Sequence, residues 1–479
     1  MHRALQFLLF CICSRSTFIL RTTPPELTAS WASKMDQHIF VTLLERLLKH
    51  PKFGHHPRTR EVLNAVYAWN GVDPLDRRWM RHIELTFLKA GAGLNSASMT
   101  KEAAYLGSIA LTSPFIECVT HAVFPSVSLN SQTLGLTQAE SKVEAALDWI
   151  RTRDDGIQSP LPAFQPQHAR EHLQGRMSHT LQQFCFEQVI QSFANDPHLS
   201  HEDKCIIISH LTSGNLPESG KWRFARTKLK FLNLDDGAAM DDLLCRLALP
   251  PAMPEQCKQC GAPWPSGLFS LHQYGCPKAK GLNKKAGSLV EAPVFSGLSR
   301  LELATKSPPP RMEDHPHFHL KPNHASLGGE PKQEADFACS HRGLPVLVDL
   351  MISSMTPSPL NIETARTPRS AAMQIEKKKI YQYRHWDFSE DYFIPFAIDC
   401  CGAFGPKMIK YLSEAAQDRK TTCPWDTDCL HNAETNISLA MARVRFMYLD
   451  ACRRTPREHN STIPTTASQP EPDVDAPQS

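Results

Sequence analysis

Asp349 sits in the run Pro345-Val346-Leu347-Val348-Asp349-Leu350-Met351-Ile352, a carboxylate with apolar neighbours on both sides. A β-strand there puts Asp349 on one face with Leu347 and Met351. A buried, unpaired carboxylate is costly, so it needs a cation, a metal or a strong hydrogen-bond donor. Asp336 lies thirteen residues earlier, and the turn at His341-Arg342-Gly343 would let the two acids meet across adjacent antiparallel strands. Farther on, Lys379 and Tyr383 are four apart in a charged stretch, which places them on one helix face. Two carboxylates, a lysine and a tyrosine suit Mg²⁺-dependent phosphodiester hydrolysis. Asp336 and Asp349 would hold the ion, and Lys379 would offset the charge that develops on the phosphorane. The plainer alternatives are a structural salt bridge for Asp349 and a solvated helix face for Lys379.

A second constellation is Cys257-Lys258-Gln259-Cys260, then eleven residues to His272 and three more to Cys276. Four such ligands in this spacing suit a tetrahedral structural Zn²⁺, with no open position for catalysis. Gly261 favours the tight turn that the paired thiolates need. Basic residues flank the unit: Lys221, Arg223, Arg226, Lys228 and Lys230 upstream, interleaved with Trp222, Phe224 and Phe231, and Lys278, Lys280, Lys284 and Lys285 downstream. Cations for phosphates beside rings for stacking suit DNA or RNA, although a solvated face is the common fate of such runs. Other candidates are weaker. Met240-Asp241-Asp242 has the look of a polymerase metal strand, but the alanines before it and Leu243, Leu244, Leu247 and Leu249 after it continue a helical spacing. Gly91-Ala92-Gly93 follows no β-rich segment and reads as a helix stop or tight turn. The histidines at 315, 317, 319 and 324 are irregularly spaced among prolines and read as loop.

The elements that must position these groups change character along the chain. In the first 250 residues the pattern is mainly helical. Ser30 would cap a helix carrying Trp31, Met35, Ile39, Leu43, Leu44, Leu47 and Leu48, and further helices are expected near 58–69, 76–89, 99–112, 137–151, 170–194 and 202–211. A Pro/His/Gly-rich stretch at about 301–335 follows the Cys/His cluster. Then come a strand at 344–352, a helix at 371–385, a strand at 392–400 and a last helix at 435–452. The chain has 479 residues, enough for several domains and a sizeable core. Its net charge of +3 advertises no global field, so any basic patch is local. Fifteen cysteines, an odd number, fit a reducing compartment with some used for metal better than a disulfide scaffold. No apolar run is long enough to span a membrane. His2-Arg3 and the apolar residues to Cys13 outline a signal peptide, but Cys13-Ser14-Arg15 is a poor cleavage site. An intracellular, nuclear protein without stable membrane association is expected.

In their order, these features resemble the C-terminal part of the polyprotein of non-LTR retrotransposons that carry a restriction-like endonuclease. The resemblance rests on Phe18 to Pro25 with Ala32 and Asp36, on Gly91 to Leu94 with Ala103 to Ser108, on Trp222 and Arg246-Leu247, and on the Cys257, Cys260, His272, Cys276 knuckle. In the C-terminal part it rests on Asp336, Asp349, Lys379, Tyr383, Pro395, Gly402 and Gly405. It implies a PD-(D/E)xK nuclease whose lysine has migrated to a helix. Asp336 then matches the first acid, Asp349 the second, and Lys379 and Tyr383 the helix pair. Ala335 stands where that family has proline, and Met351 where an unmigrated lysine would be. No aromatic-x-Asp-Asp palm strand is present, so the resemblance implies a fragment without the polymerase.

The expected architecture is therefore α+β and multidomain. It comprises a helical region over 1–250 resembling the post-polymerase thumb and linker, and a zinc knuckle over 254–278. A linker or insertion over 279–335, a restriction-endonuclease-like α/β domain over 336–452 and a disordered tail over 453–479 complete it. The expected function is nucleic-acid binding with Mg²⁺-dependent DNA nicking. A catalytically inactive zinc-containing nucleic-acid binder is the alternative, with a secreted protein third.

Overall fold

The computed structural model describes residues 16–48, 96–123, 173–225, 234–246, 253–263 without 255, 276, 280–301, 310–353 without 333, 361–424 without 390, and 428–453, besides three isolated positions. Outside the described residues lie the expected helices at 58–69 and 76–89, all of 137–151 but two isolated positions, Gly91 to Leu94, His272, Arg226, Lys228, Lys230, Lys278, the first fifteen residues and the tail beyond Arg453. The fold is mixed α and β, with helices predominating over two small sheets.

Three helices open the described chain: α1 (Ser16–Thr22), α2 (Pro25–Leu48) and α3 (Ala97–Val123). Pro25 occupies the first turn of α2, where its missing N–H costs nothing. The helix thus starts before Ser30, which is exposed within it rather than capping it. The buried stripe is Thr28, Ala32, Asp36 and Ile39, one position on from the expected Trp31 and Met35. Asp36 explains the shift. Its carboxylate accepts from Ser96 Oγ at 2.7 Å and from the N–H groups of Ala97 and Ser98, each at 2.8 Å. It therefore satisfies orphan donors at the start of α3. Helix α4 (Leu173–Ala194) packs close to α3 at Gly107, where a Cβ would stand only 2.6 Å from Gln174 Cβ.

The C-terminal half is built on a three-stranded sheet of order β2-β3-β5, from β2 (Phe337–His341), β3 (Leu344–Ser353) and β5 (Phe393–Asp399). β2 and β3 form an antiparallel hairpin whose two-residue turn puts Arg342 at φ 51° and Gly343 at φ 78°, the twist-matched form for such loops. β5 runs parallel to β3 and is an outer strand, which makes Pro395 tolerable within it. Preceding the sheet are α5 (His201–Gly214), α6 (Asp236–Arg246) and α7 (Lys280–Arg300). Between β3 and β5 come α8 (Ile362–Arg366) and α9 (Ser370–Gln382), and after β5 come α10 (Pro406–Thr422) and α11 (Cys429–Arg453). Val346, Val348 and Leu350 point into the main core with residues of α7, α10 and α11. The opposite face, with Leu347 and Met351, is covered by α9 and by the segment 310–332. The expected linker or insertion over 279–335 thus contains α7 and a packed strap. The strap pairs its own strand β1 (His319–Leu320) with β4 (Trp386–Asp387). The histidines read as loop belong to this strap, and His317 stacks on Tyr392 with ring centroids 4.1 Å apart.

The packing crosses the boundary expected near 250. Met240-Asp241-Asp242 lies on α6, as its spacing predicts, and both acids are buried. Asp242 accepts from Trp222 Nε1 at 2.7 Å and Arg246 Nε at 2.9 Å, and it pairs with Arg445 of α11. Asp241 forms a two-pronged pair with Arg453, both contacts at 2.7 Å. Burial pulls Arg246 and Arg445 down to about 10, so both remain cations at neutral pH. Replacing Asp242 with Asn should leave two guanidiniums without their shared anion. Asp242→Asn is expected to lose about 3–5 kcal/mol in urea unfolding, and a loss under about 1 kcal/mol would show that this contact does not join the two halves.

Candidate functional site

Hairpin register brings the two acids together. Phe337 pairs with Val348, and Asp336 N–H donates to Val348 O at 3.1 Å, which places Asp336 across from Asp349. Asp336 Oδ2 accepts from Leu350 N–H at 2.6 Å. Asp349 is 0% exposed, in mid-strand opposite Pro395. Its Oδ2 accepts from Lys379 Nζ at 2.6 Å and from Lys332 Nζ at 2.8 Å. Its Oδ1 is buried and takes no hydrogen bond from any N–H or hydroxyl donor. Lys379 sits in the last turn of α9. Tyr383 is the residue capping that helix, fully buried, with its hydroxyl donating to Glu334 O at 2.8 Å. The four residues singled out from the sequence therefore converge. Lys332, which the sequence reading passed over, joins them and lies 5.1 Å from the Tyr383 ring centroid.

Electrostatics divide the acids. Burial and then the charge of Asp349 push the Asp336 carboxyl up to about 7. Asp349 is also penalised by burial, but Lys379, Lys332 and a hydrogen bond with Asp336 together hold it below the usual carboxylate range. Burial lowers Lys379, against the pull of Asp349, and raises Tyr383. The pair needs something between its oxygens: a proton held by Asp336 or a cation shared by both. The carboxyl oxygens of Asp336 and Asp349 are the groups at this position that could hold a cation.

The cysteine cluster is a separate centre. The Sγ atoms of Cys257, Cys260 and Cys276 lie within 4.8 Å of one another, and those of Cys257 and Cys276 are 4.0 Å apart. That spacing fits thiolates converging on one Zn²⁺. Gly261 has φ 75° and its N–H donates to Cys257 O at 2.8 Å, closing the turn. The expected fourth ligand, His272, lies outside the described residues. A thiol absent from the sequence reading adjoins the cluster: Cys452, near the end of α11 and fully buried. Lys258 N–H donates to Cys452 O at 2.9 Å, and Gln259 Nε2 to Ala451 O, also at 2.9 Å. No local pattern links residue 257 to 452, so only the tertiary fold reveals this thiol.

Part of the expected basic face is structural. Lys221 is half-buried and paired with Glu434 of α11. Trp222 is completely buried, with its indole N–H on Asp242, so it is a core residue and not a stacking platform. Lys285 is half-buried on α7. The side chains of Arg223, Lys280 and Lys284 are outside what the structure describes. Among the described residues, no helix is long and apolar enough to cross a membrane.

No protein-family model matches the chain, and no curated protein is significantly similar to it.

Folding raises the Asp336 pKa, so the native state holds a proton that the unfolded chain has released above about 4. Its contribution to stability therefore falls as pH rises from about 4 to about 7 and is flat beyond. Asp336→Asn removes this penalty. In EDTA, the variant should gain about 1–3 kcal/mol on the wild type between pH 5 and pH 8, after allowance for partial exposure. Parallel stability curves in urea titrations at the two pH values would contradict the raised pKa.

Proposed function

We propose that this chain is a nucleic-acid-binding protein derived from a non-LTR retrotransposon of the restriction-like endonuclease class. Its C-terminal unit nicks DNA by Mg²⁺-dependent hydrolysis of a phosphodiester. The observation that carries the reading is the meeting of Lys379, from a helix, with Asp349 beside Asp336. That is the order and placement implied for a PD-(D/E)xK nuclease with a migrated lysine.

Asp336 and Asp349 would hold a divalent cation, which would supply Lewis acidity toward the phosphodiester. Lys379 keeps an ammonium beside that position, where it offsets negative charge in the transition state. Tyr383 fixes the end of α9 through its bond to Glu334 O and so sets the reach of Lys379. The departures from the family pattern have local reasons. Ala335 N–H donates to Pro310 O at 3.1 Å, a bond that proline could not make. Met351 packs against Ala372, Ile375 and Ala397, so the position two after Asp349 belongs to the α9 contact.

The knuckle would hold zinc through Cys257, Cys260, His272 and Cys276, as a structural centre. The basic residues named above, Lys221 aside, are the candidates for phosphate contacts with DNA or RNA. One observation favours the non-enzymatic alternative: Asp349 is completely buried and already has two ammonium partners, which is what a structural ion-pair network requires.

Two measurements decide. The purified chain should convert supercoiled plasmid to the nicked form in Mg²⁺ and not in EDTA. Asp349→Ala should abolish nicking and leave plasmid binding largely intact. Nicking that survives Asp349→Ala rejects this active site, whereas a wild type that binds and never nicks supports the inactive binder. For the knuckle, elemental analysis of protein purified without chelator should give about one zinc per chain, lost in Cys257→Ser. Zinc-free wild type would exclude the metal centre.

A further inference from the structure

Two ammonium groups share one oxygen of Asp349, and they are built differently. Lys379 projects from α9 with 8% of its side chain exposed, and helix, sheet and strap enclose it. Lys332 reaches the same Oδ2 from the strap with 36% of its side chain exposed, so it forms the solvent edge of the site. Its backbone is fixed, because Lys332 O accepts from Trp386 Nε1 at 2.8 Å. Two residues on, Glu334 O accepts from Tyr383, and Ala335 is tied to Pro310. The anchor is thus rigid while the four-carbon stem carries the ammonium, which stands 5.1 Å from the Tyr383 ring centroid. Both ammonium groups compete for one oxygen of Asp349, and the exposed one is the one that can turn toward an anion arriving from solvent.

We propose that Lys332 is a phosphate-binding residue of this site, which leaves Asp349 for the incoming phosphodiester when a divalent cation engages the acid pair. The inference rests on the nuclease reading above and adds a residue that reading does not contain. The dication and Lys332 compete for the charge of Asp349. Lys379 stays in place, keeping the carboxylate ionised and its geometry fixed. The displaced ammonium has a short arc to travel, from Asp349 Oδ2 to the open side of the strap, where a nucleic-acid backbone would lie. A strap lysine that gives up an intramolecular partner only when the ion is present also couples substrate binding to metal binding.

The test uses Mn²⁺ as the probe ion, the full-length chain and a supercoiled plasmid, with Lys332→Met, Lys332→Arg and Asp349→Asn beside the wild type. Methionine keeps the apolar stem and removes the charge. Removing a competing cation from a ligand oxygen should tighten Asp349-dependent Mn²⁺ binding by about three- to tenfold in Lys332→Met, read by titration calorimetry without DNA. The same variant should need a higher plasmid concentration to reach its maximal nicking rate by about tenfold, and Lys332→Arg should restore most of that loss. Wild-type Mn²⁺ affinity together with wild-type plasmid dependence in Lys332→Met would make Lys332 a surface ion pair and overturn the proposal, while Asp349-dependent nicking left the nuclease reading standing. Absence of Asp349-dependent Mn²⁺ binding in the wild type would overturn both.

Discussion

The charge on Asp349 is the constraint around which the C-terminal half is arranged. A carboxylate in the middle of a strand buried on both faces has no access to water, so cations must come to it. α9 is positioned to deliver Lys379, and the strap delivers Lys332 across the same face. Tyr383 then closes the end of the helix onto the strap. The sheet face beyond is apolar and ordinary, with Met351, Ala372, Ile375 and Ala397 packed together. The two acids and two lysines gather where β2, β3, α9 and the strap meet.

The same physics recurs at Asp241 and Asp242, with the opposite functional meaning. These acids are as buried as Asp349, but arginines saturate them in two-pronged or shared geometry, and Trp222 supplies a further donor. Around Asp349 one oxygen is crowded by two ammonium groups, and the other has no partner besides the second acid. A saturated buried carboxylate holds a fold together; an incompletely saturated one beside a second acid is suited to receiving something. Glu218 belongs to the first class, paired with Arg369 and accepting from Phe404 N–H at 3.1 Å.

Local sequence order carried much of this. The β2–β3 hairpin, the shared position of Lys379 and Tyr383, and the helical setting of Met240-Asp241-Asp242 all follow from spacings of a few residues. They agree with the structure for that reason. Where the reading went astray, the deciding partner was distant. Trp222 among basic residues looks like a stacking ring until Asp242 and α11 are folded around it. Ser30 looks like a helix cap because nothing nearby discloses that Asp36 is committed to the N–H groups of Ala97 and Ser98. Lys332 lies in a stretch whose prolines and histidines suggest a connection, and only the tertiary approach of the strap gives it a partner. Cys452 is separated from the other thiols by most of the C-terminal half.

The 25-residue helix α11 has a consequence for how the chain is made. Along its length it supplies Glu434 to Lys221, Arg445 to Asp242, Arg453 to Asp241 and the Cys452 carbonyl to Lys258 beside the cysteine cluster. The pair between Arg445 and Asp242 spans 203 positions. On the ribosome, α6 therefore emerges with Asp241 lacking its counter-ion Arg453 and with Asp242 paired only to Arg246 of its own helix. Those acids must stay hydrated, and α6 must stay undocked, until nearly the whole described chain is released. Docking of α6 consequently waits for α11. A message cut short before α11 would yield a chain with Asp241 uncompensated and its cysteine cluster without a seat.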